Sequence, residues 1–251
     1  MSFHKGLKGA AIALALTVLP VAPAIAGPLV VKASGPSSRM YPAGRALTGS
    51  TVSLKAGDIL ILLDSRGTRT LRGPGTFGTT ATVTAAASDT RTSLASLLEG
   101  RKTRRARTGA VRGFDTGPVR SPNLWYVDIS QPTVACVPDA TNVQLWRPDD
   151  HEAISITAKS KTGQTAKIDF AAGTSVATWP AAALPVSSGS TYSLTWAGLT
   201  QPIDITFNVM EAKADGLENM ASLLITNKCE AQLNLLVETV ALPDPAADNP
   251  G

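Results

Sequence analysis

The sequence predicts a mainly β protein. It reads as a small N-terminal β module, a basic helix and linker, an immunoglobulin-like antiparallel β-sandwich and two short C-terminal helices. Three observations carry that reading. Eight short β-branched or aromatic runs follow one another in the second half, separated by turn residues at intervals of roughly 8–12 positions. "ILILLDSRGTRTLRG" places an apolar run, a turn and an alternating run in hairpin order. Two segments near the C-terminus then change to the three-and-four spacing of helices.

Residues 1–26 read as a secretory leader. Lys5 and Lys8 precede the apolar run "GAAIALALTVL", Pro20 and Pro23 break it, and "AIA" supplies a small-x-small cleavage site at Ala26. The alternative is a membrane anchor, but a span needs about 20 apolar residues and this run is shorter. No later stretch is apolar and long enough to span, so the processed chain is expected to be soluble and periplasmic or secreted.

The N-terminal module is expected over residues 27–87. "PLVVKAS" is a short strand. Ile59 to Leu63 forms a buried-type apolar run, "DSRG" is a turn, and "TRTLRG" alternates as a half-exposed strand does. "GPG" should break the pattern, and "TTATVTA" is rich enough in Thr and Val for one more strand. Residues 88–122 are expected to be helix and linker. Leu94, Leu97 and Leu98 mark one helical face, and Ser88 or Asp89 caps its start. Arg101, Lys102, Arg104 and Arg105 continue at helical spacing. The glycines and prolines of "TGAVRGFDTGPVRSP" then loosen the chain.

The sandwich is assigned to residues 123–210. Its runs are "LWYVDIS", "TVACV", "NVQLW", "AISITA", "TAKIDF", "TSVATW", "TYSLTW" and "IDITFNV". All four tryptophans, Trp125, Trp146, Trp179 and Trp196, fall there, so it should hold the heavier core. In residues 211–242, Leu217, Met220, Leu223 and Leu224 form one helical strip, and Leu233, Leu236, Val237 and Val240 form another. Two helices meeting around Asn227–Cys229 and packing on the sandwich are expected, with residues 243–251 as a fraying tail.

"LKAGDILILLDSRGTRTLRGPGTF" resembles the periplasmic β module of FecR-like proteins. In that module a G-D-x-L step precedes paired short strands and a Gly-rich turn follows. The matching positions are Gly57, Asp58, Gly67, Leu71, Gly73 and Pro74. The chain as a whole is similar to exported bacterial proteins that have no assigned activity. The resemblance implies a β fold outside the cytoplasm and a place in a signalling system. This chain lacks the spanning helix and cytoplasmic region of the transmembrane regulators, so the implied role is a soluble sensor or accessory subunit.

Net charge divides the chain. Residues 27–120 carry fifteen Lys/Arg against five Asp/Glu, and residues 121–251 carry six against fourteen. Such asymmetry bears on partners and orientation, not on fold. The densest basic stretch holds Arg101, Lys102, Arg104, Arg105, Arg107 and Arg112. It reads as a solvated or intramolecular tether, as a polyanion or anionic-membrane contact, or as a protease-sensitive link. Nucleic-acid binding is not expected: the stretch has neither interleaved aromatics nor a groove-fitting motif, and export separates it from the genome.

Two cysteines, Cys136 and Cys229, remain in a chain read as exported, and an even pair there predicts a disulfide. Two buried thiols are the alternative.

No residue is assigned a catalytic role. "RPDDHE" sets Asp149, Asp150 and Glu152 around His151, but "PDD" between strands is turn chemistry, and calcium needs six to eight oxygens. His151 is the one histidine after the leader, too few for a multi-histidine zinc site, and no G-x-S-x-G elbow offers it a serine. Cys136 as a nucleophile with His151 would be silenced by a disulfide. Asp58 and Asp64 read as turn and strand-end residues. "RGPG" with "GTFG" lacks the lysine and helix of a phosphate-binding loop. No metal and no cofactor are expected. The sequence therefore points to a non-enzymatic envelope scaffold that binds another envelope protein or a surface polymer. The sensor reading stands second, and a carboxylate-dependent hydrolase of envelope polymers third.

Overall fold

The computed structural model describes residues 27–80, 87–99, 119–210 and 216–242. The expected leader, the six basic residues from Arg101 to Arg112, most of "TTATVTA" and the tail at 243–251 lie outside the described residues, as do the side chains of the expected caps Ser88 and Asp89. Among the described residues the fold is mainly β, with several antiparallel sheets and three α-helices, two of them short and C-terminal.

Among the described residues the N-terminal module has five strands: β1 (Leu29–Ser34), β2 (Thr51–Leu54), β3 (Ile59–Asp64), β4 (Gly67–Arg72) and β5 (Gly75–Gly78). Strands β1, β3 and β4 form one antiparallel sheet, with β3 central, and β2 pairs with β5 in a second. The uninterrupted apolar run of β3 has a simple cause. Leu60 and Leu62 face a core shared with Val30, Val52, Leu54 and Leu71. Ile61 and Leu63 face the opposite way, into a core built with the helices. A strand buried on both faces has no polar side to show. The β3–β4 turn is two residues long. The Asp64 carboxylate accepts the Arg66 N–H at 2.8 Å, as an Asx turn does.

"GPG" breaks the strand as expected, since β4 ends at Arg72. The next strand begins at once, as β5, and pairs with β2; Thr79 and Thr80, where a strand was expected to start, are outside it. Hydrogen bonds explain the difference. The Gly73 N–H donates to Asp58 C=O at 2.9 Å, which folds the break back onto the β2–β3 loop. Thr79 donates its N–H to Ser50 C=O and its hydroxyl to Gly49 C=O, which fixes the end of β5.

Helix α1 (Ala87–Glu99) follows; the arginines that continue its periodic pattern lie outside the described residues. Its last carbonyls are met by the returning chain: Asn123 Nδ2 donates to Leu98 C=O and the Leu124 N–H to Leu97 C=O. These are the groups a helix end leaves unsatisfied.

All eight expected sandwich runs contain strands: β6 (Tyr126–Asp128), β7 (Thr133–Val137), β8 (Gln144–Trp146), β9 (Ile154–Ser160), β10 (Thr165–Phe170), β11 (Val176–Thr178), β12 (Thr191–Thr195) and β13 (Ile203–Val209). One sheet runs β10-β9-β12-β13-β7 and the other β11-β8-β6. Two hairpins, β9–β10 and β12–β13, lie side by side through β9 and β12, the arrangement of the C′, C, F and G strands of an immunoglobulin-type sandwich. Two pairings depart from the all-antiparallel expectation: β7 runs parallel to β13, and β6 runs parallel to β8. Both involve the chain's entry into the domain, where one short segment supplies an edge strand to each sheet.

The sandwich core centres on Trp179, whose ring lies edge-on to Tyr192 and Phe207 with centroids 4.9 and 5.2 Å away. Its indole N–H donates to Leu184 C=O at 2.7 Å. The Tyr192 hydroxyl donates to Pro185 C=O, seven residues upstream. A tyrosine on this strand bonded to the backbone before it is the corner device of immunoglobulin-type domains.

The C-terminal helices are α2 (Leu217–Thr226) and α3 (Glu230–Thr239), meeting at Asn227–Cys229 as the periodicity predicts. They do more than cover the sandwich. Their apolar strips form one core with Leu29, Val31 and Leu63 of the N-terminal module, Leu97 of α1, and Leu124 and Cys136 of the sandwich. The helical layer is thus the joint between the two β units.

Candidate functional site

The joint is assembled from few residues. Cys136 on β7 and Cys229, which precedes α3, are joined with an S–S distance of 1.98 Å and Cα atoms 5.8 Å apart, across a sequence separation of 93. Both are fully buried. One helical turn past Cys229, Gln232 is buried and turns its amide onto β7. Its oxygen accepts the Cys136 N–H at 2.7 Å, and its nitrogen donates to the carbonyls of Cys136 and Leu124, each at 2.8 Å. Strand β7 is an edge of its sheet. The side chain therefore supplies what a neighbouring strand would have supplied, and it keeps buried backbone groups paired.

The N-terminal module is clasped at its hairpin. The Thr68 N–H donates to Val240 C=O and the Leu242 N–H to Thr68 C=O, both at 2.9 Å, and the Thr68 hydroxyl donates to Val237 C=O at 2.6 Å. The Thr90 hydroxyl of α1 donates to Arg66 C=O at the hairpin turn. Gly67 has φ +137°, and a Cβ there would stand 2.3 Å from Val240 O, so the clasp requires a residue without a side chain.

Where α3 passes the edges of both sheets, a groove of about 480 Å³ opens. Tyr126 and Asp128 come from β6, Thr133 and Ala135 from β7, and Leu235 and Glu238 from α3. At its rim Arg120 Nη1 lies 2.9 Å from Glu238 Oε2, both about half exposed. Val119 beside it is 67% exposed, one of two large apolar side chains left so open among the described residues. The groove offers apolar and aromatic surface ringed by amide and charged groups, the make-up of a protein-binding patch.

The other residues singled out in the sequence are placed as follows. In "RPDDHE", Arg147 is buried over the Phe170 ring, 5.1 Å from its centroid, and donates to Thr174 and Ala171 carbonyls at 3.1 Å. Asp149 accepts the His151 N–H at 3.0 Å in a turn, with the His151 side chain exposed. Among the described residues no group of three or more His, Cys, Asp or Glu is placed to hold a metal ion. Asp58 and Asp64 serve different turns. Asp58 is buried and accepts N–H bonds from Ser37 at 2.8 Å and Lys55 at 2.6 Å. Burial works to raise its pKa, but the bonds from Ser37 and Lys55 and the Lys55 charge outweigh it and hold the carboxyl below its ordinary value.

Gln232, Thr68 and the groove residues Tyr126 and Leu235 were not singled out from the sequence. A signal existed for Gln232: it lies at helical spacing between Cys229 and Leu236, a polar residue on an otherwise apolar face. Thr68 carried none, because its clasp partners on and after α3 are 169 or more positions away.

No protein-family description, curated protein or solved structure matches the chain. No helix among the described residues is long and apolar enough to cross a membrane.

Proposed function

We propose that the chain is an exported, non-enzymatic scaffold of the cell envelope that binds a segment of another protein in the groove beside α3. The observation that carries the reading is the position of that groove. It lies on the disulfide-tied joint, between edge strands of both sandwich sheets, with Tyr126, Leu235 and Val119 presenting apolar surface inside a charged and amide rim. Interfaces favour such a centre, aromatic and apolar within a polar ring. The disulfide fits export, with cleavage after Ala26, because such bonds persist outside the reducing cytosol.

A photoreactive amino acid at position 235 of the exported chain tests this, with one at Lys161 on the distal β9–β10 turn as control. The expected result is a single discrete adduct from position 235 and none from position 161. The partner so identified, when purified, should bind the unlabelled chain and lose about tenfold or more in affinity for Leu235→Asp. Equal binding by that variant, in a chain that melts normally, overturns the reading.

A second reading keeps the FecR-like resemblance: a soluble periplasmic sensor or accessory subunit with the N-terminal module as input. The clasp favours it, since Thr68 and Arg66 tie the module's hairpin to both α3 and α1. Signalling output that survives deletion of residues 27–80 would remove it.

A further inference from the structure

A second groove, of about 300 Å³, lies on the other side of the joint, between β1 and the α2–α3 turn. We infer that it binds a medium-chain fatty-acid anion, with the alkyl chain on its floor and the carboxylate between Lys32 and Lys228. The floor is apolar: Val31, Ile61, Leu224 and Leu233 come from two strands and both helices. Its volume stands at the lower end of small-molecule sites, which suits one short alkyl chain and is too small for a docked helix.

The mouth supplies the second half of the recognition. Lys32 and Lys228 both line it and both are exposed, and neither pairs with a carboxylate among the described residues. The carboxylate that also lines the groove, Glu230, sits in the first turn of α3, where the helix dipole favours a negative charge. The mouth therefore keeps an excess of positive charge over an apolar floor. Lys228 has φ +59°, the one non-glycine residue with a positive φ among the described residues. It follows the end of α2 at the position where helices most often place glycine. The residue so placed lines the groove beside apolar wall that an alkyl chain can cover.

Calorimetric titration of the full, disulfide-intact exported chain tests the inference with four probes: decanoate, decanol, acetate and inorganic phosphate. Decanoate should bind saturably at one site, about tenfold or more tighter than the other three. Lys228→Gly, which suits the backbone and removes only the side chain, and Lys32→Gln should each weaken decanoate severalfold and leave decanol unchanged. Ala43→Trp, which fills the groove from its exposed rim, should abolish decanoate binding in a chain with an unaltered melting temperature. Absence of saturable decanoate binding overturns the proposal. So does decanol binding as well as decanoate, which leaves the lysines without a role, or phosphate binding as well as decanoate, which leaves the floor without one.

Discussion

Gln232 holds both backbone groups of Cys136, accepting its N–H at 2.7 Å and donating to its carbonyl at 2.8 Å, while the side chain of Cys136 is joined to Cys229 three residues before Gln232. One strand residue is thus fixed to one helical turn by a covalent bond and by two hydrogen bonds. The third bond, to Leu124 C=O, extends the hold to the segment that leads from α1 into the sandwich.

Gln232→Leu keeps the size of the side chain and removes all three bonds. The N–H and carbonyl of Cys136 and the carbonyl of Leu124 would be left buried without those partners, and each orphaned buried group costs about 1–3 kcal/mol. A loss of roughly 3 kcal/mol or more is expected in urea unfolding. A loss below about 1 kcal/mol for the leucine variant would show that water or backbone shifts replace the amide.

The disulfide closes a loop across a sequence separation of 93. In the chain-entropy treatment a loop of that length contributes roughly 4–5 kcal/mol, as an upper figure. Replacing both cysteines with alanine should lower stability by about 2–5 kcal/mol and loosen α3 first. Hydrogen exchange should show the amides of α3 losing protection while those of β9 and β12 keep theirs. Because both sulfurs are fully buried, reductant should open the bond only at the rate of local unfolding.

What was legible in the sequence was local. Each of the eight sandwich runs carries its own alternation and its own turn residues, so each strand announces itself. The C-terminal helices do the same through the spacing of Leu217, Met220 and Leu224 and of Leu233 and Leu236. The joint was not legible, because it rests on pairs far apart in the chain. The apolar run of β3 showed that both of its faces are buried but not what covers them. The answer, Leu224 and Leu236 on one side and Val52 and Leu71 on the other, is a matter of tertiary packing. The missed strand β5 has the same origin. "GTFG" has poor strand propensity, and it pairs because the Gly73 bond to Asp58 and the Thr79 bonds to Gly49 and Ser50 deliver it alongside β2.

The clasp gives a sharp test of whether the two β units act as one. Gly67→Ala puts a methyl group 2.3 Å from Val240 O, closer than any real contact, and in a backbone region that alanine avoids. A cost of about 2 kcal/mol or more is expected. Its distribution is the informative part. Limited proteolysis should cut the 27–80 region of the variant sooner, with the sandwich left resistant. Uniform resistance in both regions would mean that the hairpin and α3 move apart without consequence.

Asp58 links the N-terminal module to acid stability. Its carboxyl is held below its ordinary pKa by the Ser37 and Lys55 bonds despite burial. A folded-state pKa below the unfolded one means that the unfolded chain binds the proton first. The stabilisation is therefore complete above the unfolded carboxylate value, near 4, and is lost as pH falls through the lower folded value. Urea midpoints measured from pH 7 down to pH 2.5 should decline in that window for the wild type. In Asp58→Asn the decline should be shallower, on a lower plateau at pH 7, because an amide that accepts one N–H through its oxygen places an NH₂ group against the other donor. Gly35→Ala reports on the same knot by a different route: its Cβ would come within 2.6 Å of Asp58 Oδ1 at φ +96°, so it should destabilise the module and flatten the pH dependence together. An Asp58→Asn variant with the wild-type slope would place the titrating group elsewhere.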